Sequence, residues 1–176
     1  MPRQLSSMFR RCGIGCTVAL FVGTLLPSCL QAQMRTSIIY SETADAKAEI
    51  GAAISAAARE HKHVILDFGA NWCGDCQLLN IYFHDPSNAG VLQANYILVD
   101  VNIGKFDKNL DIAKKYDVPL NKGVPALVVL DGQGHVLTAQ RSGEFENMRK
   151  LDTSAVMAFL EKWKPKTRVA NKNGQK

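Results

Sequence analysis

The sequence predicts an α/β fold built on a central mixed β-sheet with helices on both faces. Three observations carry this prediction. Short apolar runs near 64–68, 96–103 and 126–130 are separated by segments of helical period, which gives β-α-β-α alternation. The run at 126–130 is joined to the one at 135–139 by Asp131-Gly132-Gln133-Gly134, the composition of a hairpin turn. Parallel neighbours need crossover helices and hairpin partners run antiparallel, so a sheet holding both is mixed.

Taken in order, Ala44 to about His61 is rich in alanine, with Ile50 and Ile54 four residues apart, and reads as a helix with a small-residue face after a short polar lead. Val64 to Phe68 is a buried-strand candidate. From Cys73 onward, Leu78, Leu79, Ile81 and Tyr82 restore a helical period that ends before Asp85-Pro86, and a second short helix is expected over Asn88 to Ala94. Tyr96 to Ile103 reads as a strand. Asp107 to Tyr116 reads as a helix, with Asp107 as N-cap and Leu110, Ala113 and Tyr116 on one face. Ala126 to Leu130 and His135 to Ala139 flank the turn, and Thr153 to Trp163 closes the domain as an amphipathic helix.

The ends differ in character from this middle. Residues 1–32 carry Arg3, Arg10 and Arg11 with no acid, then an apolar run from about Cys12 to Leu26, then Pro27 and small or polar residues: the order of a secretory signal. Leu30-Gln31-Ala32 allows cleavage after Ala32, whereas Leu26-Pro27-Ser28-Cys29 resembles a lipobox in which Cys29 would carry a lipid anchor. An uncleaved membrane anchor is disfavoured, because the run is shorter than the ~20 residues of a comfortable span. The expected division is a leader over 1–32, one domain over 33–164 and a basic, solvated tail over 165–176. The formal charge of +5 belongs to the ends: residues 33–161 hold 12 basic and 16 acidic residues and are net −4. The tail lacks aromatic interleaving, so no nucleic-acid partner is expected.

Of the five cysteines, Cys12, Cys16 and Cys29 lie in the leader, so an exported domain keeps Cys73 and Cys76, which can pair only with each other. A bridge closing so short a loop restricts little of the unfolded chain, and stability does not explain it. Two cysteines at i and i+3, just after a strand and opening a helix, instead point to thiol chemistry. Exposed amides and the helix macrodipole stabilise a thiolate at that end. Cys73 is expected to attack and Cys76, deeper in the helix, to resolve the mixed disulfide. Half of a zinc site is the competing reading, but no second cysteine pair exists and His61, His63, His84 and His135 lie outside a ligand spacing. No metal and no organic cofactor are expected; the redox group is the cysteine pair itself.

Over about Ala44 to Trp163 the chain resembles the thioredoxin superfamily. Val64-Ile65-Leu66-Asp67-Phe68-Gly69-Ala70-Asn71-Trp72-Cys73-Gly74-Asp75-Cys76 matches its strand, acid, Trp and active-site pair, and Gly123-Val124-Pro125-Ala126 is similar to its cis-proline loop. Phe83-His84-Asp85-Pro86 is similar to the branch that includes the C-terminal domain of membrane disulfide reductases of the bacterial envelope. The resemblance implies a thioredoxin-like fold and an oxidoreductase acting on protein thiols and disulfides, fed by a membrane electron donor; the leader adds the expectation that it works outside the cytoplasm, in the bacterial periplasm or cell envelope, and a monomer is expected. The resemblance also implies that Asp67 takes and returns the Cys76 proton, that Trp72 shields the disulfide and contacts substrate, and that Val124 and Pro125 line the substrate path.

Departures from the family pattern concern direction. Asp75 stands where thioredoxin has Pro, so Gly74 and Asp75 are expected to tune the pair, the acid disfavouring the Cys73 thiolate and making the dithiol more reducing. The register puts Asp100 near the position of thioredoxin's lysine, beside Asp67. The segments 107–116 and 119–122 lengthen the path from Cys73 to Pro125. A disulfide reductase is therefore expected; isomerase or oxidase, a non-catalytic thioredoxin-fold binding module and a copper-handling protein are the alternatives.

Overall fold

Along the strand His63–Gly69 (β1) the side chains alternate between two apolar layers, and that alternation organises the domain. The computed structural model describes residues 38–166. Leu66 and Phe68 face one layer, with Ile50, Ala53 and Ala57 of α1 (Ala46–Glu60) and Ile112 and Ala113 of α4 (Leu110–Lys115). Ile65 faces the other, with Leu79 and Phe83 of α2 (Gly74–Phe83), Leu92 of α3 (Pro86–Asn95) and Val156 and Leu160 of α5 (Thr153–Trp163). Helices thus cover both faces.

The sheet order is β2-β1-β3-β4, with β2 over Tyr96–Asn102, β3 over Ala126–Leu130 and β4 over Val136–Ala139. β1 runs parallel to β2 and antiparallel to β3, and β3 and β4 form the expected hairpin. β1 is therefore central and buried on both faces, as its nearly unbroken apolar run requires. Its one acid, Asp67, lies opposite Asp100 on β2 and Leu127 on β3.

Two boundaries differ from the pattern of the sequence. Asp85-Pro86 ends one helix, as expected, but the next does not wait for Asn88; the same dipeptide starts it. The Asp85 carboxylate caps the Ser87 N–H at 2.9 Å and Pro86 takes the first helical position, where its missing N–H costs nothing. The helix expected from Asp107 begins only at Leu110. Gly104, Phe106 and Asn109 have φ of 60°, 64° and 53°, which no helix accommodates, and the Asp107 carboxylate turns back to the Lys105 N–H at 2.8 Å. Ile112, Ala113 and Tyr116 face the core in consequence, while Leu110 is 45% exposed. The leader with Cys12, Cys16 and Cys29, and the tail beyond residue 166, lie outside the described residues.

Candidate functional site

β1 ends at Gly69 and the chain turns through Ala70-Asn71-Trp72 into α2. Cys73 is the N-cap of that helix. Its backbone is extended (φ −80°, ψ 110°) and its Sγ accepts the Cys76 N–H at 3.1 Å. Cys73 and Cys76 are joined as a disulfide, with Cα atoms 5.2 Å apart. Both are buried, Cys76 completely. Either sulfur, once reduced, lies at the positive end of the helix, where amide dipoles favour a thiolate.

Across from the pair stands the loop before β3. The Val124–Pro125 bond is cis, and Val124 O lies 3.5 Å from Cys73 Sγ. A disulfide sulfur has no proton to donate, so this is a contact here and becomes a weak S–H···O hydrogen bond only in the dithiol. Gly123 has φ 115° and a Cβ there would stand 3.0 Å from Glu146 Cβ, so the turn presenting Val124 needs glycine.

Trp72 is 55% exposed. Its Nε1–H donates to Gly104 O at 2.7 Å and its ring leans on Phe106, with centroids 5.7 Å apart. The indole is thereby fixed to the irregular 103–109 loop, with an apolar face left to solvent beside the redox pair.

The first turn of α2 carries Gly74, which is exposed, and Asp75, whose side chain is mostly covered. Asp75 Oδ2 pairs with Arg149 Nη1 at 3.3 Å, and a Cβ on Gly74 would come within 3.0 Å of Arg149 Nη2. Arg149 comes from the short 3₁₀ turn Met148–Lys150 ahead of α5. The acid expected to disfavour the Cys73 thiolate therefore has a cation paired with it. Sequence reasoning misses this residue, because nothing local links position 149 to position 75.

Beneath the pair the setting is different. Asp67 is 1% exposed, and the Tyr40 hydroxyl donates to its Oδ2 at 2.8 Å. The position a Cβ on Gly69 would occupy is taken by the Tyr40 phenol and, 2.9 Å away, by Cys76 Sγ, so Gly69 leaves the room that brings phenol and sulfur to one place. Burial pushes the Asp67 carboxyl well above the usual carboxylate range, the Asp100 charge pushes it further, and the Tyr40 hydrogen bond opposes both. Asp100 is itself pushed up to about 6, chiefly by burial, with His84 lowering it and Glu49 raising it. The Asp67–Asp100 register is the one expected from sequence. Tyr40 is not among the residues the sequence singles out: the segment ahead of α1 reads as a polar lead, although Ile38-Ile39-Tyr40 is an apolar interruption in it.

The other histidines do not gather at the sulfurs as ligands. His135 pairs with Asp131 in the hairpin turn at 3.0 Å, and among the described residues no cluster of three or more His, Cys, Asp or Glu is placed to hold a metal.

Comparisons with known proteins agree with this geometry. A family model described as thioredoxin-like matches residues 45–132. The solved structure of a disulphide isomerase from Xylella fastidiosa superposes with a TM-score of 0.69 at 34% identity, covering 72% of this chain and 96% of that one. A thioredoxin H-type protein from Chlamydomonas reinhardtii is 34% identical over 58 residues, 33% of this chain and 51% of that protein, so the match spans about half of that relative's length. A thioredoxin from Pongo abelii is 29% identical over 99 residues, 56% of this chain and 80% of that protein.

Proposed function

The chain belongs to the thioredoxin-like family and is a thiol-disulfide oxidoreductase with Cys73 and Cys76 as its redox-active pair; from that premise we propose that it reduces protein disulfides outside the cytoplasm. The Cys73 thiolate attacks one sulfur of a substrate disulfide and displaces the other as a thiolate, leaving a mixed disulfide. Asp67 then takes the Cys76 proton, Cys76 attacks Cys73 Sγ, and the second substrate sulfur leaves as the thiolate. The Cys73–Cys76 disulfide is the oxidised product, and an external dithiol on the membrane returns it to the dithiol state. Substrate main chain lies along Val124 and Pro125, and the open face of Trp72 supplies apolar contact.

The observation that carries the reductive direction is the pair of buried carboxylates, Asp67 and Asp100, behind Cys76. Burial raises both carboxyls, and whichever of them is ionised at working pH places an anion in low dielectric, which disfavours a thiolate nearby, weighs against the ionised dithiol and makes it a better electron donor. Asp75 supports the same direction less strongly, because Arg149 offsets its charge. A second reading, disulfide isomerase, is favoured by the likeness to the Xylella fastidiosa disulphide isomerase at 34% identity.

Export rests on the basic-then-apolar order of residues 1–32, with cleavage after Ala32 or lipidation at Cys29. Among the described residues no helix is long and apolar enough to cross a membrane. The domain is taken as a monomer, with a membrane-bound electron donor and without a nucleic-acid partner.

The test is a Cys76→Ser trap. Expressed with its leader, the variant should accumulate mixed disulfides through Cys73 with envelope proteins, and the wild-type protein should be found mainly as the dithiol. A wild-type pool that is fully disulfide-bonded would contradict the reductive direction. Mass spectrometry of the mature N-terminus separates the two processing routes.

A further inference from the structure

The segment just ahead of α1 is fastened to the active-site turn. Asn71, two residues before Cys73, accepts the Ile39 and Tyr40 N–H groups at 3.0 Å each through Oδ1, and its Nδ2 donates to Tyr40 O at 2.8 Å. Asn102 at the end of β2 adds a bond from Nδ2 to Ser41 O at 3.0 Å. Four hydrogen bonds from two side chains thus fix a stretch with no regular structure of its own. Their common effect is to place one phenol. Tyr40 is fully buried against Gly69, and its hydroxyl donates to Asp67 Oδ2 at 2.8 Å, while Asp67 Oδ1 is buried and has no hydrogen-bond partner.

We propose that Tyr40 is a positioning residue for the second half of the exchange: clamped by Asn71 and seated on Gly69, it holds Asp67 so that the carboxylate is ionised and aimed when Cys76 must lose its proton. The inference rests on the reading of Asp67 as the proton acceptor. The step it serves balances as follows. Cys76 S–H gives its proton to the Asp67 carboxylate, the Cys76 sulfur forms a bond to Cys73 Sγ, and the bond from Cys73 Sγ to the substrate sulfur breaks with the electron pair leaving on the substrate thiolate.

The physical argument is a contest over one charge. Burial works against an ionised Asp67, and so does Asp100 from β2, which in turn feels the charge of His84 at the C-terminal end of α2 and of Glu49 on α1; β3 contributes the apolar Leu127 opposite Asp67. α2 contributes Cys76. Tyr40 is the group that favours the anion. Its own titration is pushed up, by burial first and then by the Asp67 charge, so it remains a donor at every working pH. A hydrogen bond to a charged acceptor is among the stronger ones a folded chain makes, and its loss should move the titration of that acceptor by about one to two pH units. A lone buried carboxylate without that bond would stay protonated further into the neutral range and serve poorly as a base.

The experiment uses the full chain and the aromatic disulfide dithionitrobenzoate in stopped flow. One coloured thionitrobenzoate is released when Cys73 attacks and a second when Cys76 closes the disulfide, so the two steps are read separately. In Tyr40→Phe the first release should keep its rate within about twofold. The pH limb of the second should move up by about one unit, a slowing of about tenfold below its midpoint that vanishes well above it. A fluorinated tyrosine at position 40 keeps the shape and strengthens the donor, and should move the limb down; this second arm decides the matter if the Phe variant folds poorly. An unchanged midpoint in both variants, or a slowing equal at every pH, overturns the role of Tyr40. Asp67→Asn separates the two claims: if its second release keeps the wild-type pH limb, the reading of Asp67 fails, whatever Tyr40 does.

Discussion

Two aspartates flank the same pair of sulfurs and face different physics. Asp75 lies in the first turn of α2, its own side chain 18% exposed and its Oδ1 buried without a hydrogen-bond partner, with Arg149 across from Oδ2 and 71% of that arginine's side chain in water. Asp67 lies beneath α2, 1% exposed, with a second acid as its strand neighbour and a phenol as its hydrogen-bond donor. The paired guanidinium limits what the first can do to Cys73, and its own exposure keeps that pairing sensitive to salt. Burial magnifies what the second can do to Cys76. On the proposed mechanism the difference assigns two tasks: the arginine-paired acid adjusts the balance of the redox couple, whereas the fully buried one governs the proton on which the second chemical step depends.

The largest effect should come from breaking the buried side. Asp67→Asn removes the proposed proton acceptor and should slow closure of the Cys73–Cys76 disulfide by about a hundredfold near neutral pH, read as the second release in the two-phase assay. Cys73→Ser, which removes the nucleophile, should abolish both phases.

Asp100→Asn sharpens the comparison through stability. The folded chain holds the Asp100 proton up to about pH 6, above the ordinary 3.8, so it binds more protons than the unfolded chain between those values. Stability therefore falls as pH rises across that window, and Asp67, pushed up by burial in the same direction, adds to the loss. The variant should show a higher Tm than wild type above about pH 6 and no gain below about pH 4, by thermal unfolding at a series of pH values. A gain that is equal at every pH would place the effect in packing instead. With the Asp100 charge gone, the limb of the second release should also move down.

The smallest effect belongs to the pair of Asp75 and Arg149. Arg149→Gln leaves the Asp75 charge unopposed near Cys73 and should favour the disulfide by about three- to tenfold in equilibrium with glutathione, tenfold being about 30 mV. In about 1 M salt, where the screening length is about 3 Å, the shift should shrink. The double variant with Asp75→Asn should return to within about twofold of wild type, since the pair is removed as a unit. A shift that survives in the double variant would show that Arg149 acts by another route.

What the sequence makes legible follows from the range of the interactions. The cysteine pair, the strand before it and the helix after it are local patterns, and Asp67 comes with them as part of the resemblance. The facing of Asp67 and Asp100 can be placed because parallel strands with regular alternation leave little choice of register. Asp85-Pro86 is legible only in half, since the dipeptide that stops one helix is also a cap and first residue for the next. The late start of α4 is hidden because Phe106 and Asn109 take positive φ without being glycine, a choice imposed by the loop that supports Trp72. Tyr40 and Arg149 are out of reach for a plainer reason: each contact spans many residues, 27 for Tyr40 to Asp67 and 74 for Arg149 to Asp75, and no local period marks either side chain.

The most direct test of the central claim is the reduction potential of the Cys73–Cys76 pair, measured by equilibrating the purified protein against glutathione and dithiothreitol buffers. A value near −270 mV, about that of thioredoxin, is the predicted result for a pair backed by two buried carboxylates; a value near −120 mV, about that of a disulfide-donating oxidase, would contradict it.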